Sequence, residues 1–365
     1  MRESISKPMD TVSQIFDQFQ NMGHKEIVFC NDPATGLKAI IAIHDTTLGP
    51  ALGGTRFYNY TNEQEALQDV LRLSKGMTYK AAISGLNLGG GKAVIIGDPS
   101  QIKSEALVRR FGKFVNTLSG NYITAKDVGT LTQDMVYISM ETKHVVGLPQ
   151  SMGGGGDPSP LTAYGVYMGM KACAREVYGT DNLAGKKVAV QGAGAVGEHL
   201  IKYLRNENAT IFVTDINRER LGHVSAHYEA KVIDGKGFYD LDMDIYAPCA
   251  LGATINDDTI KKLKCQIIAG AANNQLADEV KHGKAVVDSG ILYAPDFLIN
   301  AGGLINSYAE LVGYNNQRAM QATEMIYQVT QSIIEKSKNE NITTTSAANK
   351  IAEERIEAAK ALRAY

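Results

Sequence analysis

Nowhere in the 365 residues is there an unbroken apolar run of membrane-spanning length, so no membrane association is expected. The opening "MRESISKPMD" lacks the apolar centre of a secretion signal, and a cytoplasmic protein is expected. The four cysteines, Cys30, Cys173, Cys249 and Cys265, contain no C-x-x-C pair. They signal neither a disulfide frame nor a zinc knuckle and read as reduced, mostly buried small hydrophobes. A formal net charge of -2, with no stripe of Lys and Arg, speaks against nucleic acid as a partner. In "HVSAH", His223 and His227 share a helix face, but Val224 stands where a zinc peptidase needs its general-base Glu. That pair reads as a solvated helix face, and no metal site is expected. Internal repeats and low-complexity tracts are lacking too.

What remains is an ordinary globular composition, 44% hydrophobic and 21% charged, over a length that suggests two domains. "KEIVFCNDPATGLKAIIAIHD" reads as a hairpin beginning near Lys25, and "NEQEALQDVLRLSKGM" as a helix. Around the strand "KAVIIGD", the helix "SEALVRRFGKFVNTL" and the strand "NYITAKDVGT", strands alternate with helices, which implies a mostly parallel sheet. Glycines 153–156, followed by Pro158 and Pro160, mark a hinge. Beyond it come a long helix at "LTAYGVYMGMKACAREVYG" and apolar runs at "DIYAPCA", "CQIIAGAANN" and "KAVVDSG" that read as further strands. From about Gln321 the tail has helical spacing and is expected to brace the first domain or an oligomer contact.

In "KKVAVQGAGAVGEHLIKYLRN", Gly192, Gly194 and Gly197 form G-x-G-x-x-G between a predicted strand and a predicted helix, with Ala195 and Val196 inside the motif. Asp215 closes the next strand 18 residues after Gly197. Together they predict a dinucleotide whose pyrophosphate lies at the helix N-terminus. Asp215 suits the ribose hydroxyls and repels a 2′-phosphate, favouring NAD over NADP; Arg218, three residues on, softens that preference.

"KAAISGLNLGGGKAVIIGDP" holds Lys80 and Lys92 on either side of glycines 89–91 with no acid between them. A charged lysine grips a carboxylate, whereas one forced to lose its proton serves as a base. Burial and a neighbouring cation would split such a pair into a charged and a nearly neutral member. Bringing a lysine from about 10.4 to about 8 takes roughly 3 kcal/mol, within reach of those two effects.

"LNLGGGKAVIIGDP" resembles the active-site signature of the glutamate, leucine, phenylalanine and valine dehydrogenases, and the likeness runs on through "GPALGGTR", "GMTYKAA", "AKDVGT", "GAANNQL" and "INAGGLIN". The resemblance implies an α/β fold with a substrate domain over 1–147, completed by a C-terminal helix at about 341–365. A Rossmann domain over 148–340 and a cleft between the two complete it. It implies oxidative deamination of an L-amino acid to a 2-oxo acid and ammonia with NAD(P), by hydride loss from Cα, water addition and collapse of a carbinolamine. By the same resemblance Lys80 binds the α-carboxylate, Lys92 activates water, and Asp127 shuttles protons at the amino group. Asn300 helps hold the substrate, Thr162, Asn273 and Asn274 surround the nicotinamide and its ribose, and the chain forms a homo-oligomer, an octamer.

For the substrate side chain, Gly53 and Gly54 follow Leu52, which stands where glutamate-specific relatives place a lysine. Without that cation a glutamate side chain would bring a charge to an apolar wall. Leu52, Ala125 and Leu304 suit aliphatic substrates, so leucine, valine and isoleucine are expected. Ser307 departs from the valine of the branched-chain pattern and leaves room for phenylalanine or another large apolar side chain. A catalytically silent NAD-binding sensor or scaffold is the reading from another class, and Lys80, Lys92 and Asp127 together speak against it.

Overall fold

The computed structural model describes residues 12–363. The opening segment, from which absence of a secretion signal is expected, lies wholly outside the described residues. The chain condenses into two compact units, one formed by residues up to 82, 87–149 and those from 362, the other by 83–86 and 150–361.

The first unit is built on a five-stranded sheet. Its strands are β1 (Glu26–Asp32), β2 (Leu37–Asp45), β3 (Ala51–Tyr58), β4 (Gly89–Ile96) and β5 (Tyr122–Lys126), in the order β1-β2-β4-β3-β5. The β1/β2 and β2/β4 pairings are antiparallel and the β4/β3 and β3/β5 pairings parallel, so β2 alone runs against the rest. The mostly parallel sheet predicted from the alternation of elements is what forms. Period-2 alternation sorts the central strands between two apolar layers. Leu37, Ala39, Ile41 and Ile43 of β2, with Ala93 and Ile95 of β4, join one core together with Leu107, Val108, Phe111 and Val115 of α4 (Glu105–Thr117). Ile40, Ala42 and Val94 face the other way, against Ala66, Leu67, Val70 and Leu71 of α2 (Glu63–Ile83). Ser104 caps α4 by accepting from Leu107 N, with Glu105 in the first turn. Helices α1 (Val12–Met22), α3 (Pro99–Ile102) and α5 (Thr132–Ser139) complete the unit. Glycines 89–91 are the first residues of β4, which extends the predicted strand "KAVIIGD" at its start.

The second unit has a wholly parallel six-stranded sheet, β11-β10-β9-β6-β7-β8. Its strands are β6 (Lys187–Gln191), β7 (Thr210–Thr214), β8 (Lys231–Val232), β9 (Ile245–Pro248), β10 (Ile267–Ile268) and β11 (Leu292–Tyr293). With β6 as the first strand this is the doubly wound dinucleotide-binding order 3-2-1-4-5-6 read from β8, and its topological switch lies between β6 and β9. The helices are α6 (Ser159–Tyr178), α7 (Ala195–Asn206), α8 (Arg218–Tyr228), α9 (Glu279–Asp288), α10 (Asp296–Ile299), α11 (Gly302–Leu311), α12 (Asn316–Glu340) and α13 (Thr344–Arg363).

One sequence expectation needs correction here. "KAVVDSG" is not a strand: residues 284–288 end α9, which Asp278 caps through Lys281 N and which buries Val286. A short apolar run lacks the length to separate a buried strand from a buried helix turn, and the cap decides it. The tail is two helices, beginning at Asn316 and broken at Asn341, whose φ of 52° ends α12. Its second helix, expected from about 341 to complete the first domain, groups with the second unit as far as residue 361, where Thr344 Oγ1 donates to Tyr293 O.

Candidate active site

On the α2 side of the first sheet, alternation places Gly90, Lys92 and Val94 of β4 beside Leu52, Gly54 and Arg56 of β3, and Ile123 and Ala125 of β5. Lys92 is buried, with 7% of its surface exposed, and its Nζ lies 2.7 Å from Asp127 Oδ2. Asp127 follows β5 directly, so the pair spans β3. Gly54 opens the way: a Cβ there would fall 2.8 Å from Asp127 Cβ and from Lys126 O. Leu52 and Ala125 are buried apolar walls on the same face.

The loop after β5 holds the acid rigidly. Asp127 N donates to Thr130 Oγ1 at 2.9 Å, and the same hydroxyl contacts Thr55 O at 3.0 Å. Phe57 N donates to Val128 O at 2.8 Å. Burial pushes the Asp127 carboxyl up, but Lys92 and Arg56 outweigh it and hold it below the usual carboxylate range.

Arg56 went unnoticed in the sequence. Its Nε lies 3.4 Å from Asp127 Oδ2, and its Nη1 donates to Asp69 Oδ2 at 2.7 Å. Tyr60 donates to the same Asp69 oxygen, at 2.8 Å. The signal was there: residues 52, 54 and 56 must share a face once "ALGGTRFY" is read as a strand. Lys92 thus has a carboxylate partner that the sequence argument did not give it. Lys80 lies in the last turn of α2, partly buried.

In the second unit the glycine turn runs from β6 into α7 at the switch point. Gly192 has φ 108°, and a Cβ on Gly197 would fall 2.0 Å from Gly192 O. Gly194 occupies the N-cap of α7 without a side-chain cap, so helix amides are left for an anion; Ala195 and Val196 form the first turn. Asp215 Oδ2 accepts from Ala193 N at 2.6 Å and Oδ1 from Asn217 N at 2.7 Å. The acid thus braces the glycine turn and keeps a lone pair on each oxygen for a ribose hydroxyl. Asn300, 4% exposed, donates through Nδ2 to Asn273 Oδ1 at 2.8 Å and to Ala271 O at 3.0 Å, which joins the "GAANNQL" and "INAGG" motifs. Asn274 is left-handed, with φ 52°. Thr162 Oγ1 donates to Pro158 O, and Gly303 packs against the Thr162 hydroxyl. Leu304 is buried, and Ser307 Oγ turns back to Gly303 O at 3.2 Å.

Residues 24–144 match the dimerisation domain described for the Glu/Leu/Phe/Val dehydrogenases, and 153–217 with 210–364 match the Glutamate/Leucine/Phenylalanine/Valine dehydrogenase domain. The chain belongs to this dehydrogenase family. It is 54% identical to leucine dehydrogenase from Bacillus cereus over 95% of this chain and 94% of that one. Phenylalanine dehydrogenase from Bacillus thermotolerans is 48% identical over 95% and 92% of the two chains. The crystal structure of L-tryptophan dehydrogenase from Nostoc punctiforme superposes with a TM-score of 0.85 at 45% identity, covering 94% of this chain and 99% of that one. The Glu/Leu/Phe/Val dehydrogenases are amino-acid oxidoreductases that use a nicotinamide cofactor, and the uncapped helix start and glycine cradle of the second unit fit such a dinucleotide.

The histidine pair of "HVSAH" is exposed on α8, as read from sequence, and no group of three or more potential metal ligands occurs among the described residues. Cys30, Cys173 and Cys265 are buried, Cys249 is half-buried, and all four are free. Among the described residues no helix is long and apolar enough to cross a membrane.

Proposed function

We propose that this chain carries out NAD-dependent, reversible oxidative deamination of branched-chain L-amino acids, leucine above all, to the 2-oxo acid and ammonia. The observation that carries the reading is the buried Lys92–Asp127 pair with Leu52 and Ala125 on the same sheet face. Lys80 would grip the α-carboxylate, and Asn300, Leu304 and Ser307 are assigned to the substrate by the motifs they occupy. When bound, the nicotinamide supplies a hydride acceptor. Gly192, Gly194, Ala195, Val196, Gly197 and Asp215 would hold the adenosine diphosphate portion, and Thr162, Asn273 and Asn274 the nicotinamide portion. With its lone pairs facing a ribose, Asp215 favours NAD over NADP.

The ion pair gives the proton chemistry an order. A substrate ammonium arriving at Asp127 competes with Lys92 for the carboxylate. Asp127 then accepts a proton from the substrate ammonium, and Lys92, released from its partner, gives up its own proton to solvent before its free amine takes one from the attacking water. The first unit acts as the substrate domain and the second as the dinucleotide domain. Self-association is part of the proposal, supported by the dimerisation domain matched at 24–144, with an octamer as the state to look for by light scattering.

The test is a panel of L-amino acids with NAD, and of 2-oxo acids with ammonia and NADH. Leucine, valine and isoleucine should turn over, with glutamate at least 100-fold weaker in kcat/KM because no cation meets its side chain. Turnover of phenylalanine above leucine would move the proposal to a large apolar substrate, the reading that the small Ser307 favours. Efficient turnover of glutamate would refute both.

A further inference from the structure

Behind the ion pair, two histidines tie the end of α2 to its surroundings. His44 of β2 has both ring nitrogens engaged, Nε2 at 3.1 Å from Met22 O and Nδ1 at 2.8 Å from Thr78 Oγ1. A carbonyl can only accept, so Nε2 carries the proton, and in the neutral ring Nδ1 accepts from the Thr78 hydroxyl. His24 stands edge-on to this ring, with centroids 4.8 Å apart, and its Nε2 lies 3.1 Å from Leu71 O and 2.8 Å from Ser74 Oγ.

Ser74 and Thr78 are one turn apart on α2, and there the helix meets β4. A Cβ on Gly90 would fall 2.2 Å from both Thr78 N and Thr78 Oγ1, and 2.4 Å from Ser74 O. Lys80 follows Thr78 by two residues along the helix. Lys92 follows Gly90 by two residues along the strand, on the same face. The contact between Thr78 and Gly90 thus ties the stretch of helix that carries Lys80 to the stretch of strand that carries Lys92, and His44 holds the hydroxyl at that joint.

We propose that His44 is a positioning residue for the deamination: through the Thr78 hydroxyl it seats the last turn of α2 on β4 and so places Lys80 relative to Lys92. The proposal rests on the reading of the two lysines given above. His24 backs the same helix one turn earlier, through Ser74.

Four variants separate this role from a merely structural one. His44→Asn keeps an acceptor near the Nδ1 position, whereas His44→Gln keeps only a donor near Nε2. Thr78→Ser keeps the hydroxyl and Thr78→Val removes it at nearly constant shape. His44→Gln and Thr78→Val should each raise the amino-acid KM about tenfold, in line with the sensitivity of catalysis to small misplacements. The double variant should be no worse than either single, His44→Asn and Thr78→Ser should stay near the parent, and the NADH Kd should not move. Hydrogen exchange of amides 79–83 should quicken in His44→Gln and Thr78→Val. Additive effects, a His44→Asn variant as impaired as His44→Gln, or unchanged exchange would overturn the positioning role. Should His44→Gln fail to fold, the Thr78→Val and Thr78→Ser pair decides alone. No turnover of any apolar amino acid by the unmutated protein would instead overturn the reaction and the role with it, whereas unchanged exchange in an active enzyme overturns the positioning alone.

Discussion

Glycines 89–91 of the first unit lie inside a strand, while Gly192, Gly194 and Gly197 of the second shape a turn and the start of a helix. In the strand, the missing side chain at Gly90 lets α2 press on to β4, and at Gly54 of β3 it lets Lys92 reach Asp127. In the turn, the missing side chains let the chain fold back on itself beside free helix amides. The first arrangement is assembled from four stretches distant in sequence, the second from one stretch of six residues and an acid. Chemistry is expected to depend on the first and affinity for the dinucleotide on the second.

Lys92→Ala separates the two most sharply. General acid–base groups contribute about 10² to 10⁴ in rate, so kcat should fall about 10³-fold. The NADH Kd, measured by fluorescence titration, should stay within about twofold. A parallel loss of NADH affinity would break the division of labour between the two glycine regions.

A second expected effect belongs to the first unit and to its stability. Burial, and His44 beside it, lower the pKa of His24 from 6.5 to about 4. The folded state therefore binds this proton more weakly than the unfolded chain does. The contribution is fully present above about pH 6.5 and is lost as the pH falls towards 4, about 3 kcal/mol in all. His24→Gln, which keeps a donor for Leu71 O, should flatten that part of the stability profile. Urea midpoints between pH 7 and 4, read by exchange of α2 amides, would show it; equal acid sensitivity in the variant would remove His24 from the account.

How much of this could be read in advance follows the same divide. The dinucleotide turn was legible because its glycines, its helix and Asp215 lie within one strand-turn-helix-strand passage, where spacing stands for geometry. Lys92 and Asp127 were singled out separately, but their contact across β3 was not, because strand order β4-β3-β5 is set by packing and leaves no local trace. Arg56 was missed although alternation in β3 places it on the same face, and Thr78 and His44 were missed because hydrogen bonds 34 residues apart have no sequence pattern. The strand assigned to "KAVVDSG" failed for a related reason: three apolar residues fit a turn of α9 as well as a strand, and the deciding cap, Asp278, stands six residues upstream of Lys284.

Asp215→Ala gives a smaller effect than Lys92→Ala and the finest test of the comparison. Asp215 receives Ala193 N and Asn217 N, so its removal takes away a brace of the glycine turn as well as the proposed ribose acceptor. Hydrogen bonds to a charged group contribute about 1.5 to 3 kcal/mol, which corresponds to a rise of roughly 10 to 150-fold in the NADH Kd. NADPH loses nothing from the loss of an acid that repels its 2′-phosphate, so the ratio of the two affinities should narrow. Saturating NADH should restore most of kcat, because the Lys92–Asp127 pair belongs to the first unit and is untouched. If NADH weakens while the ratio to NADPH holds, Asp215 serves the glycine turn alone, and the proposed preference for NAD loses its basis in this acid.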